Sequence, residues 1–369
     1  MLTLPRSLTR LGARPLARAP TAVRHPLRAF SAAAPRHHQH GGVSKGGFAA
    51  AACRSSSPLS SFTAGGGASP SISTSSRAGV TALLSTSRSS STTASPTAEK
   101  AANTPTTPTV LPEFSLAGKT VIISGAGRGL GLVQAEALLE AGATVYALDR
   151  LPDPSPEFAR VQEKALALGT RLEYARVDVR EVDVLRGVVD GIAEREGGID
   201  GLIAAAGIQQ ETPAIEYKAE DANRMFEINV TGVFMTAQAV ARHMIASGRG
   251  GSIVLIGSMS GTVANRGLIC PAYNASKAAV LQLARNLASE WGAHHIRVNS
   301  LSPGYIVTQM VTELFERFPE RETDWPAQNM LGRLSSPEEY RGAAVFLISD
   351  ASSFMTGADV RMDGGHAAW

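Results

Sequence analysis

Short, almost wholly apolar runs alternate with helical patterns along the C-terminal part of this 369-residue chain. The runs have the length and composition of strands covered on both faces; they are Thr120–Ser124, Thr144–Leu148, Leu172–Val177, Gly201–Ala205, Ser252–Ile256, Ile296–Leu301 and Asp359–Met362. The helical segments between them are Leu130–Ala141, Pro156–Leu168, Val182–Glu196, Ala219–Ser247, Pro271–Trp291 and Pro337–Ser349. This alternation predicts an α/β fold, a Rossmann-like doubly wound parallel sheet of about seven strands with helices on both faces.

The N-terminal part has a different composition. Residues 1–98 contain eleven Lys or Arg and no Asp or Glu, and Glu99 is the first acid. The whole chain has 35 basic and 32 acidic residues, so the remainder sets 24 basic residues against all 32 acids. The basic character of the chain therefore comes from residues 1–98, and it does not indicate a nucleic-acid partner.

An Arg-rich, Ser/Ala-rich, acid-free leader is typical of a mitochondrial transit peptide. Arg28-Ala29-Phe30-Ser31 resembles a matrix-protease cleavage site. The alternative is a disordered tail that stays on the protein. We expect residues 1–112 to be a transit peptide and a disordered Ser/Thr/Pro-rich leader, residues 113–369 to form a single catalytic domain, and the protein to reside in the mitochondrial matrix.

Several classes of function are disfavoured by what residues 113–369 contain. Their single cysteine, Cys270, permits no intrachain disulfide. No apolar run reaches the length of a membrane-spanning helix, so we expect no membrane partner. No Cys or His residues have metal-ligand spacing, so we expect no metal.

A glycine-rich turn follows the first strand, in Ser124-Gly125-Ala126-Gly127-Arg128-Gly129-Leu130-Gly131. Glycines let the backbone approach a pyrophosphate, and the next helix offers its N-terminal amides. Leu130 stands where the usual dinucleotide fingerprint has its third glycine, so the spacing is Gly125, Gly129 and Gly131. A plain structural turn is the alternative, but the strand–turn–helix context favours a cofactor site that includes Arg128 and Leu130.

Asp149 ends the second strand and bears on the choice of cofactor. A carboxylate there can accept hydrogen bonds from both hydroxyls of an adenosine ribose and would repel a 2′-phosphate, which favours NAD. Arg128 and Arg150 act in the opposite direction, because a guanidinium can hold a 2′-phosphate, so NADP stays possible. A turn or helix-capping role for Asp149 is the alternative interpretation.

Tyr273 and Lys277 are four residues apart in a helical segment and so share one helix face. A phenol has a pKa of about 10 and is a poor base at neutral pH. A neighbouring ammonium, helped by a positively charged nicotinamide ring, could lower that pKa towards about 7. A surface pair on a helix is the alternative, since this spacing is common.

Two further polar side chains favour a catalytic site. Ser258 lies at the carboxyl end of the Ser252–Ile256 strand, where it could hydrogen-bond a substrate oxygen or the Tyr273 phenol. Ser260 is a second candidate, less directly at the strand end. Asn229, inside a helical segment, could hold a water that links Lys277 to solvent, or it could simply bend its helix.

Together these residues resemble the short-chain dehydrogenase/reductase family over nearly all of residues 115–369. The resemblance rests on the glycine spacing, the order of the four polar residues and Pro303-Gly304. It implies that Tyr273 is the general acid/base, that Lys277 lowers its pKa and binds the nicotinamide ribose, that Ser258 anchors the substrate oxygen, and that Asn229 holds a relay water. It also implies an adenine neighbour at Asp178 and further cofactor contacts at Val179, Ala205, Gly207, Ile306 and Thr308.

Two positions depart from the family pattern. The family usually has Asn-Asn-Ala-Gly after its fourth strand, where this chain has Ala204-Ala205-Ala206-Gly207. The missing Asn at 205 removes a hydrogen bond, so we expect the pocket wall to rely on backbone groups. Ser124 replaces the usual Thr and keeps the hydroxyl.

The substrate is less constrained by the sequence. The resemblance implies that residues 309–336 form a mobile lid, and their mixture of aromatic and charged residues favours a polar substrate over a steroid or long acyl chain. The segments around Ser258 and Tyr273 and the ending Asp363-Gly364-Gly365 resemble, more loosely, the fungal polyol and ketose branch of the family.

We therefore expect an NAD(P)-dependent enzyme that interconverts a secondary alcohol, such as a polyol, and a ketone. An NADP-dependent 3-ketoacyl or ketose reductase is the first alternative, and a non-catalytic NAD(P)-binding sensor is the second. The resemblance also implies a homo-oligomer, a tetramer or dimer, paired through the two long helical segments.

Overall fold

Seven parallel strands form one sheet in the order β3-β2-β1-β4-β5-β6-β7. This computed structural model describes residues 111–369, so nearly all of the predicted leader lies outside the described residues. The strands are β1 Thr120–Ser124, β2 Thr144–Asp149, β3 Arg171–Arg176, β4 Gly201–Ala204, β5 Gly251–Ile256, β6 Ile296–Pro303 and β7 Asp359–Met362. The predicted doubly wound parallel sheet is confirmed.

Nine α-helices occur in residues 111–369. They are α1 Gly129–Glu140, α2 Pro156–Ala167, α3 Val182–Glu196, α4 Ala219–Phe226, α5 Val233–Ser247, α6 Pro271–Trp291, α7 Gln309–Arg317, α8 Glu320–Ala327 and α9 Arg341–Ile348. Most bounds agree with the predicted segments within two residues. The segment after Pro337 instead begins as a 3-10 turn, Pro337–Tyr340, before α9.

β1 shows why the strand sequences are continuously apolar rather than alternating. Ile122 packs into the core with residues of α3, α5 and α6. Val121 and Ile123 point to the other side, into the core with residues of α1, α2 and α9. All five residues of β1 are buried. Because helices cover both faces, every position of the strand must be compatible with burial.

The chain reverses its winding direction between β1 and β4, which are neighbours at the centre of the sheet. Parallel strands end at the same edge, so the ends of β1, β4, β5 and β6 lie side by side. In open α/β sheets, ligands bind in the crevice outside this edge, at the point of reversal. All four predicted catalytic residues follow or face these strand ends.

The predicted helix Ala219–Ser247 is interrupted. A π-helical turn, Glu227–Gly232, joins α4 to α5, and it contains Asn229. The lid segment, for which no bounds of helices were predicted, consists largely of α7 and α8. Short π-helical insertions inside helices are frequent at functional sites.

No helix within residues 111–369 is long and apolar enough to cross a bilayer. The same residues hold no group of three or more His, Cys, Asp or Glu side chains placed to bind a metal ion. Cys270 is buried with a free thiol.

Candidate active site

The glycine-rich turn needs its glycines for two different reasons. A Cβ on Gly131 would lie 2.4 Å from the carbonyl oxygen of Gly125, and one on Gly125 would lie 2.8 Å from the backbone of Ala206. Gly129 has a φ of +58° but no atom within 4 Å of such a Cβ. The turn is therefore tightly packed on its protein side and open beside Gly129.

Helix α1 begins at this opening. Its N-cap residue, Arg128, is exposed and makes no side-chain cap, so the amides of the first turn have no protein side chain capping them. Leu130 is partly buried against the core on the α1 side of the sheet. Uncapped amides at the positive end of a 12-residue helix are suited to a phosphate group.

Asp149 is bound to the glycine-rich turn itself. Its carboxylate accepts hydrogen bonds from the backbone N–H groups of Gly127 at 3.0 Å and Leu151 at 3.2 Å. The structural role considered for this residue is thus present. A carboxylate has about four lone-pair sites, so these two bonds leave capacity for ribose hydroxyls.

Asp178 lies at the end of β3 and forms a bidentate ion pair with Arg180, with an N···O distance of 2.7 Å. Hydrogen bonding to Arg180 lowers the pKa of Asp178, and the nearby Arg150 lowers it further. Arg150, Asp178, Arg176 and Glu181 line a cavity of about 390 Å³. Two guanidinium groups therefore flank the region where the resemblance places the adenosine.

Val179 is nearly fully buried and packs against the π-helical turn. A Cβ on Gly232 would lie 2.6 Å from the Val179 side chain. This contact joins the end of β3 to the segment that carries Asn229.

The wall formed by residues 205–207 is held by Ser124. The backbone N–H of Ala205 donates to the Ser124 carbonyl at 3.2 Å, and that of Ala206 donates to the Ser124 hydroxyl at 3.3 Å. The hydroxyl retained at position 124 thus supports the wall in addition to the backbone. A Cβ on Gly207 would lie 3.3 Å from Asn229 Oδ1 and 3.7 Å from Lys277 Nζ, so Gly207 adjoins both polar groups.

Asn229 is fully buried, and both ends of its side-chain amide are hydrogen-bonded within the protein. Its Nδ2 donates to the Ile208 carbonyl at 2.9 Å and to Ser276 Oγ at 3.0 Å, and its Oδ1 accepts from the Ile208 N–H at 2.9 Å. Ser276 Oγ in turn donates to the Tyr273 carbonyl at 2.7 Å. Both N–H groups of this amide have protein acceptors, and the relay-water role of Asn229 stays a prediction.

Lys277 is 5% exposed, and its Nζ donates to the carbonyl of Ile256, at the end of β5, at 2.8 Å. Nζ also lies 5.7 Å from the centre of the Tyr273 ring. Burial lowers the pKa of Lys277 to about 8. The ammonium is therefore placed beside the phenol but is itself disfavoured by the dry surroundings.

The lowered pKa that we predict for Tyr273 beside a nicotinamide ring stays a prediction, because the protein's own groups act differently on the phenol. Burial raises the pKa of Tyr273 to about 12, although a hydrogen bond with Ser258 acts in the opposite direction. A dry site disfavours phenolate more strongly than the Ser258 hydroxyl favours it. The protein's own groups thus keep this phenol protonated at neutral pH.

The two candidate serines differ in what their hydroxyls contact. Ser258 Oγ accepts from the backbone N–H of Ser260 at 3.1 Å and is near enough to Tyr273 to act on the pKa of its phenol. Ser260 Oγ instead accepts from Asn265 Nδ2 at 2.6 Å. Of the two serines, Ser258 is therefore the one that acts on the phenol.

The remaining predicted positions lie where β6 gives way to the lid. Ile306 pairs with Ser335 in an isolated parallel bridge. The Thr308 hydroxyl accepts from the Val311 N–H at 3.3 Å and caps α7. Both residues thus connect the lid to the sheet edge that carries the site.

A small apolar cluster, which we call the lid cluster, adjoins Tyr273 and was not predicted. Its buried members are Met259, Leu268, Cys270, Tyr305 and Trp325. Tyr305 and Trp325 stack with ring centroids 4.2 Å apart and planes 6° apart. Tyr305 directly follows Pro303-Gly304, so its position in the motif could have identified it.

A family model described as enoyl-(acyl carrier protein) reductase matches residues 125–367. A short-chain dehydrogenase/reductase of Aspergillus versicolor is 43% identical over 265 residues, covering 69% of this chain and 89% of that protein. A galactitol 2-dehydrogenase of Rhizobium johnstonii is 42% identical over 263 residues, covering 70% and 98%. A ribulose-forming D-arabinitol 2-dehydrogenase of Candida tropicalis is 36% identical over 271 residues, covering 70% and 96%.

Two solved structures of dehydrogenases are also similar to this chain in fold and in sequence. A gluconate 5-dehydrogenase from Burkholderia cenocepacia, in complex with NADP and tartrate, has a TM-score of 0.63 and 35% identity, covering 70% of this chain and 98% of that chain. A carveol dehydrogenase from Mycobacterium avium, in complex with NAD, has a TM-score of 0.64 and 32% identity, covering 69% and 99%.

Proposed function

This chain belongs to the short-chain dehydrogenase/reductase family, and we propose that it interconverts a polyol and the corresponding ketose. Membership makes it an NAD(P)-dependent oxidoreductase that acts on CH–OH groups. Two relatives that are 36% and 42% identical are named for oxidation of arabinitol and galactitol. The structural observation that carries the proposal is that Ser258 and Lys277 both adjoin Tyr273. Ser258 acts to lower the pKa of the phenol, and Lys277 Nζ lies 5.7 Å from the centre of the Tyr273 ring.

The residues described above fit a nicotinamide dinucleotide. The uncapped start of α1, open beside Gly129, would hold the pyrophosphate. Asp149 would accept from the adenosine ribose and Lys277 would donate to the nicotinamide ribose. Ile306 and Thr308 would contact the nicotinamide amide and the phosphates, and the remaining adenosine contacts would come from Asp178 and Val179.

Ser258 and Tyr273 would bind the reacting oxygen of the substrate together. In the direction of alcohol oxidation, the substrate hydroxyl donates its proton to the Tyr273 oxygen while its carbon loses a hydride. In the reverse direction, the Tyr273 O–H donates its proton to the carbonyl oxygen as the carbon gains a hydride. Ser258 keeps the oxygen in place in both directions.

The raised pKa of Tyr273 affects alcohol oxidation and ketone reduction differently, because the two reactions need different protonation states of the phenol. With a pKa of about 12, the phenol is protonated at neutral pH and is ready to act as the acid in ketone reduction. Acting as a base near pH 7 requires additional positive charge, worth about 7 kcal/mol at roughly 1.4 kcal/mol per pKa unit. An oxidised nicotinamide ring supplies positive charge and accepts the hydride, whereas a reduced ring is neutral and donates it.

We propose NAD as the preferred cofactor. Asp149, at the end of β2, supports this preference because a carboxylate disfavours a 2′-phosphate. Arg150 and Arg176, which line the neighbouring cavity, support some use of NADP.

The test is a substrate panel with purified protein. Arabinitol, galactitol and mannitol would be compared with a hydroxysteroid and a 3-hydroxyacyl ester, each with NAD and with NADP, by nicotinamide absorbance. We expect turnover of at least one polyol and a higher kcat/KM with NAD. Turnover confined to the acyl ester with NADP would instead support the ketoacyl reductase alternative, and no turnover with NAD(P) binding would support a sensor.

We further propose that residues 1–112 direct the protein to the mitochondrial matrix. The acid-free, Arg-rich composition of residues 1–98 supports this. A fluorescent protein fused to residues 1–112 should colocalise with a matrix marker, and a cytosolic signal would contradict the proposal. We also propose a homo-oligomer, which light scattering on the purified protein would test.

A further inference from the structure

Two buried oxygen atoms beside the lid cluster have no hydrogen-bond partner in the described protein. They are the Tyr305 hydroxyl and Asn265 Oδ1, in residues that are 8% and 6% exposed. A buried polar group without a partner costs about 1–3 kcal/mol. Buried Tyr hydroxyls usually find a partner, so such a pair beside a catalytic site needs an explanation.

Packing explains the ring of Tyr305 but not its hydroxyl. The ring stacks on Trp325 and meets His366 edge-on with centroids 5.4 Å apart, and a phenylalanine would make both contacts. Tyr340 offers a contrast, because its buried hydroxyl bonds with Ser335 Oγ at 2.8 Å and with the Met362 carbonyl at 3.0 Å. The Tyr305 hydroxyl is therefore a polar group that the fold itself does not use.

Asn265 is oriented by a chain of hydrogen bonds that leads to the catalytic serine. Its Nδ2 donates to Ser260 Oγ at 2.6 Å, and the Ser260 N–H donates to Ser258 Oγ at 3.1 Å. The first bond identifies the remaining amide atom, Oδ1, as a pure acceptor. That acceptor is buried and unpaired, in a residue that two hydrogen bonds through Ser260 connect to Ser258.

Tyr305 lies on the same side of Tyr273 as the rest of the lid cluster. Tyr273 packs against this cluster, of which Tyr305 and Cys270 are members. Cys270 is also close enough to both phenols to raise the pKa of each. The unpaired hydroxyl and the unpaired amide oxygen therefore belong to two elements beside the candidate catalytic residues, the end of β6 and the loop after β5.

We propose that Tyr305 Oη and Asn265 Oδ1 bind substrate hydroxyl groups adjacent to the reacting carbon, and so select a polyhydroxylated substrate. The inference rests on the proposed polyol function and deepens it. A hydroxyl can donate to Asn265 Oδ1, and another can accept from or donate to Tyr305. A steroid or acyl chain offers neither group and leaves both oxygens buried and unpaired, which a polar site rejects strongly.

The closing experiment compares a polyol with a secondary alcohol that has one hydroxyl, such as cyclohexanol. Tyr305→Phe should lower kcat/KM for the polyol on the order of tenfold to a hundredfold, and change that for cyclohexanol by less than about twofold. Tyr340→Phe, which removes a buried hydroxyl that has protein partners, is the matched control and should leave the ratio of the two kcat/KM values unchanged.

Asn265→Leu should change the same ratio in the same direction. Equal losses of kcat/KM on the polyol and on cyclohexanol in Asn265→Leu would assign the effect to loop position and overturn the role of Oδ1.

Thermal unfolding adds a readout independent of activity. Tyr305→Phe should leave Tm unchanged or raise it, because it removes an unpaired buried hydroxyl, whereas Tyr340→Phe should lower Tm. A lowered Tm together with equal losses on both substrates would assign Tyr305 a purely structural role and overturn the inference.

The failure of the inference and that of the proposed function are distinguishable in the wild-type protein. If the wild type turns over no polyol, the proposed function fails, and the inference fails with it. If the wild type oxidises a polyol and Tyr305→Phe leaves the ratio unchanged, only the inference is overturned.

Discussion

Arg321 of α8 and Glu211 of the loop after β4 form a bidentate ion pair, with N···O distances of 2.9 and 2.6 Å. The guanidinium also lies 4.3 Å from the centre of the Phe318 ring and 5.4 Å from that of Trp325. The Arg321 side chain is only 11% exposed. This ion pair therefore connects the lid, residues 309–336, to the segment that follows the pocket wall at Ala205–Gly207.

We expect Arg321→Ala to raise KM for the substrate about five- to tenfold and to change kcat less, because the lid loses its attachment while the catalytic residues stay in place. Steady-state kinetics would measure both constants. Glu211→Gln and the double variant complete a mutant cycle. If the two single effects on KM were additive, the ion pair would not be what holds the lid.

Tyr273→Phe should lower kcat by on the order of 10²–10⁴-fold, because the proton donor and acceptor is removed while the ring remains. The affinity for NAD, measured by calorimetry, should change less than about twofold. A variant that retained most of its turnover would contradict the assignment of Tyr273.

Lys277→Met should stabilise the protein at pH 7 although it abolishes activity. The folded pKa of Lys277 is about 8, below the usual 10.5, so the unfolded chain binds more protons between these values and wild-type stability rises with pH there. Removing the charge should gain about 3 kcal/mol at pH 7, less about 1 kcal/mol for the lost bond to Ile256.

Denaturant unfolding at pH 7 and pH 10 would test this expectation. The advantage of Lys277→Met should be present at pH 7 and should shrink as the pH rises from 8 towards 10.5. A variant that is less stable than the wild type at pH 7, or a difference that does not depend on pH, would show that burial does not penalise this ammonium.

Alanine substitutions in the glycine-rich turn should differ in how strongly they destabilise the protein. Gly131→Ala should destabilise the protein by on the order of 1–3 kcal/mol and weaken NAD binding, because its Cβ would meet the Gly125 carbonyl oxygen at 2.4 Å. Gly129→Ala should cost about 1 kcal/mol through its positive φ alone.

Gly187→Ala is the control for this series. It lies in α3 with no atom within 4 Å of the added Cβ, so it should stabilise the protein by about 0.5–1 kcal/mol. Thermal unfolding of the three variants would rank their effects on stability. An order in which Gly129→Ala is worse than Gly131→Ala would refute the role of close packing in the turn.

Ionisation of Glu136 should make part of the free energy of unfolding depend on pH in the acid range. Hydrogen bonds from Arg160 and Lys164 lower the pKa of Glu136 to about 2. Its stabilisation is therefore present above pH 4.5 and is lost as the pH falls through 2. Both partners are partly exposed, so we expect Glu136→Gln to cost about 1–2 kcal/mol at pH 7.

Urea unfolding between pH 7 and pH 2 would follow this cost, which should vanish at the acid end. Glu163→Gln, on the exposed side of α2, should change stability by less than about 0.5 kcal/mol at any pH. A loss in Glu136→Gln that persisted at pH 2 would point to packing rather than to charge.

The fold could be predicted because the pattern of apolar residues in a strand indicates whether one or both of its faces are buried. Val121, Ile122 and Ile123 can only be adjacent apolar residues if both faces of β1 are covered. The π-helical turn at Glu227–Gly232 could not be predicted, because one inserted residue hardly disturbs a helical hydrophobic pattern.

The positions of the candidate site residues could be predicted, because their residue types and spacing imply a particular chemistry. Properties that depend on the folded surroundings, such as pKa values, could not. Tyr273, Lys277 and Ser258 lie together as their spacing predicts, and their catalytic roles stay predictions. The direction of the Tyr273 pKa shift was not predictable, because burial depends on side chains distant in sequence. The Glu211–Arg321 pair joins positions 110 residues apart, which no local pattern indicates.

The hydrogen bonds that join Asn229 to Ile208 and Ser276 have a consequence for the evolution of this chain. Its position demands two donors and one acceptor at the length of a short amide, a combination that no other standard side chain provides. Aspartate lacks the donors, serine lacks one of them, and glutamine is too long by a methylene. Substrate preference can therefore drift through changes in the lid, while position 229 is confined to a single amino acid.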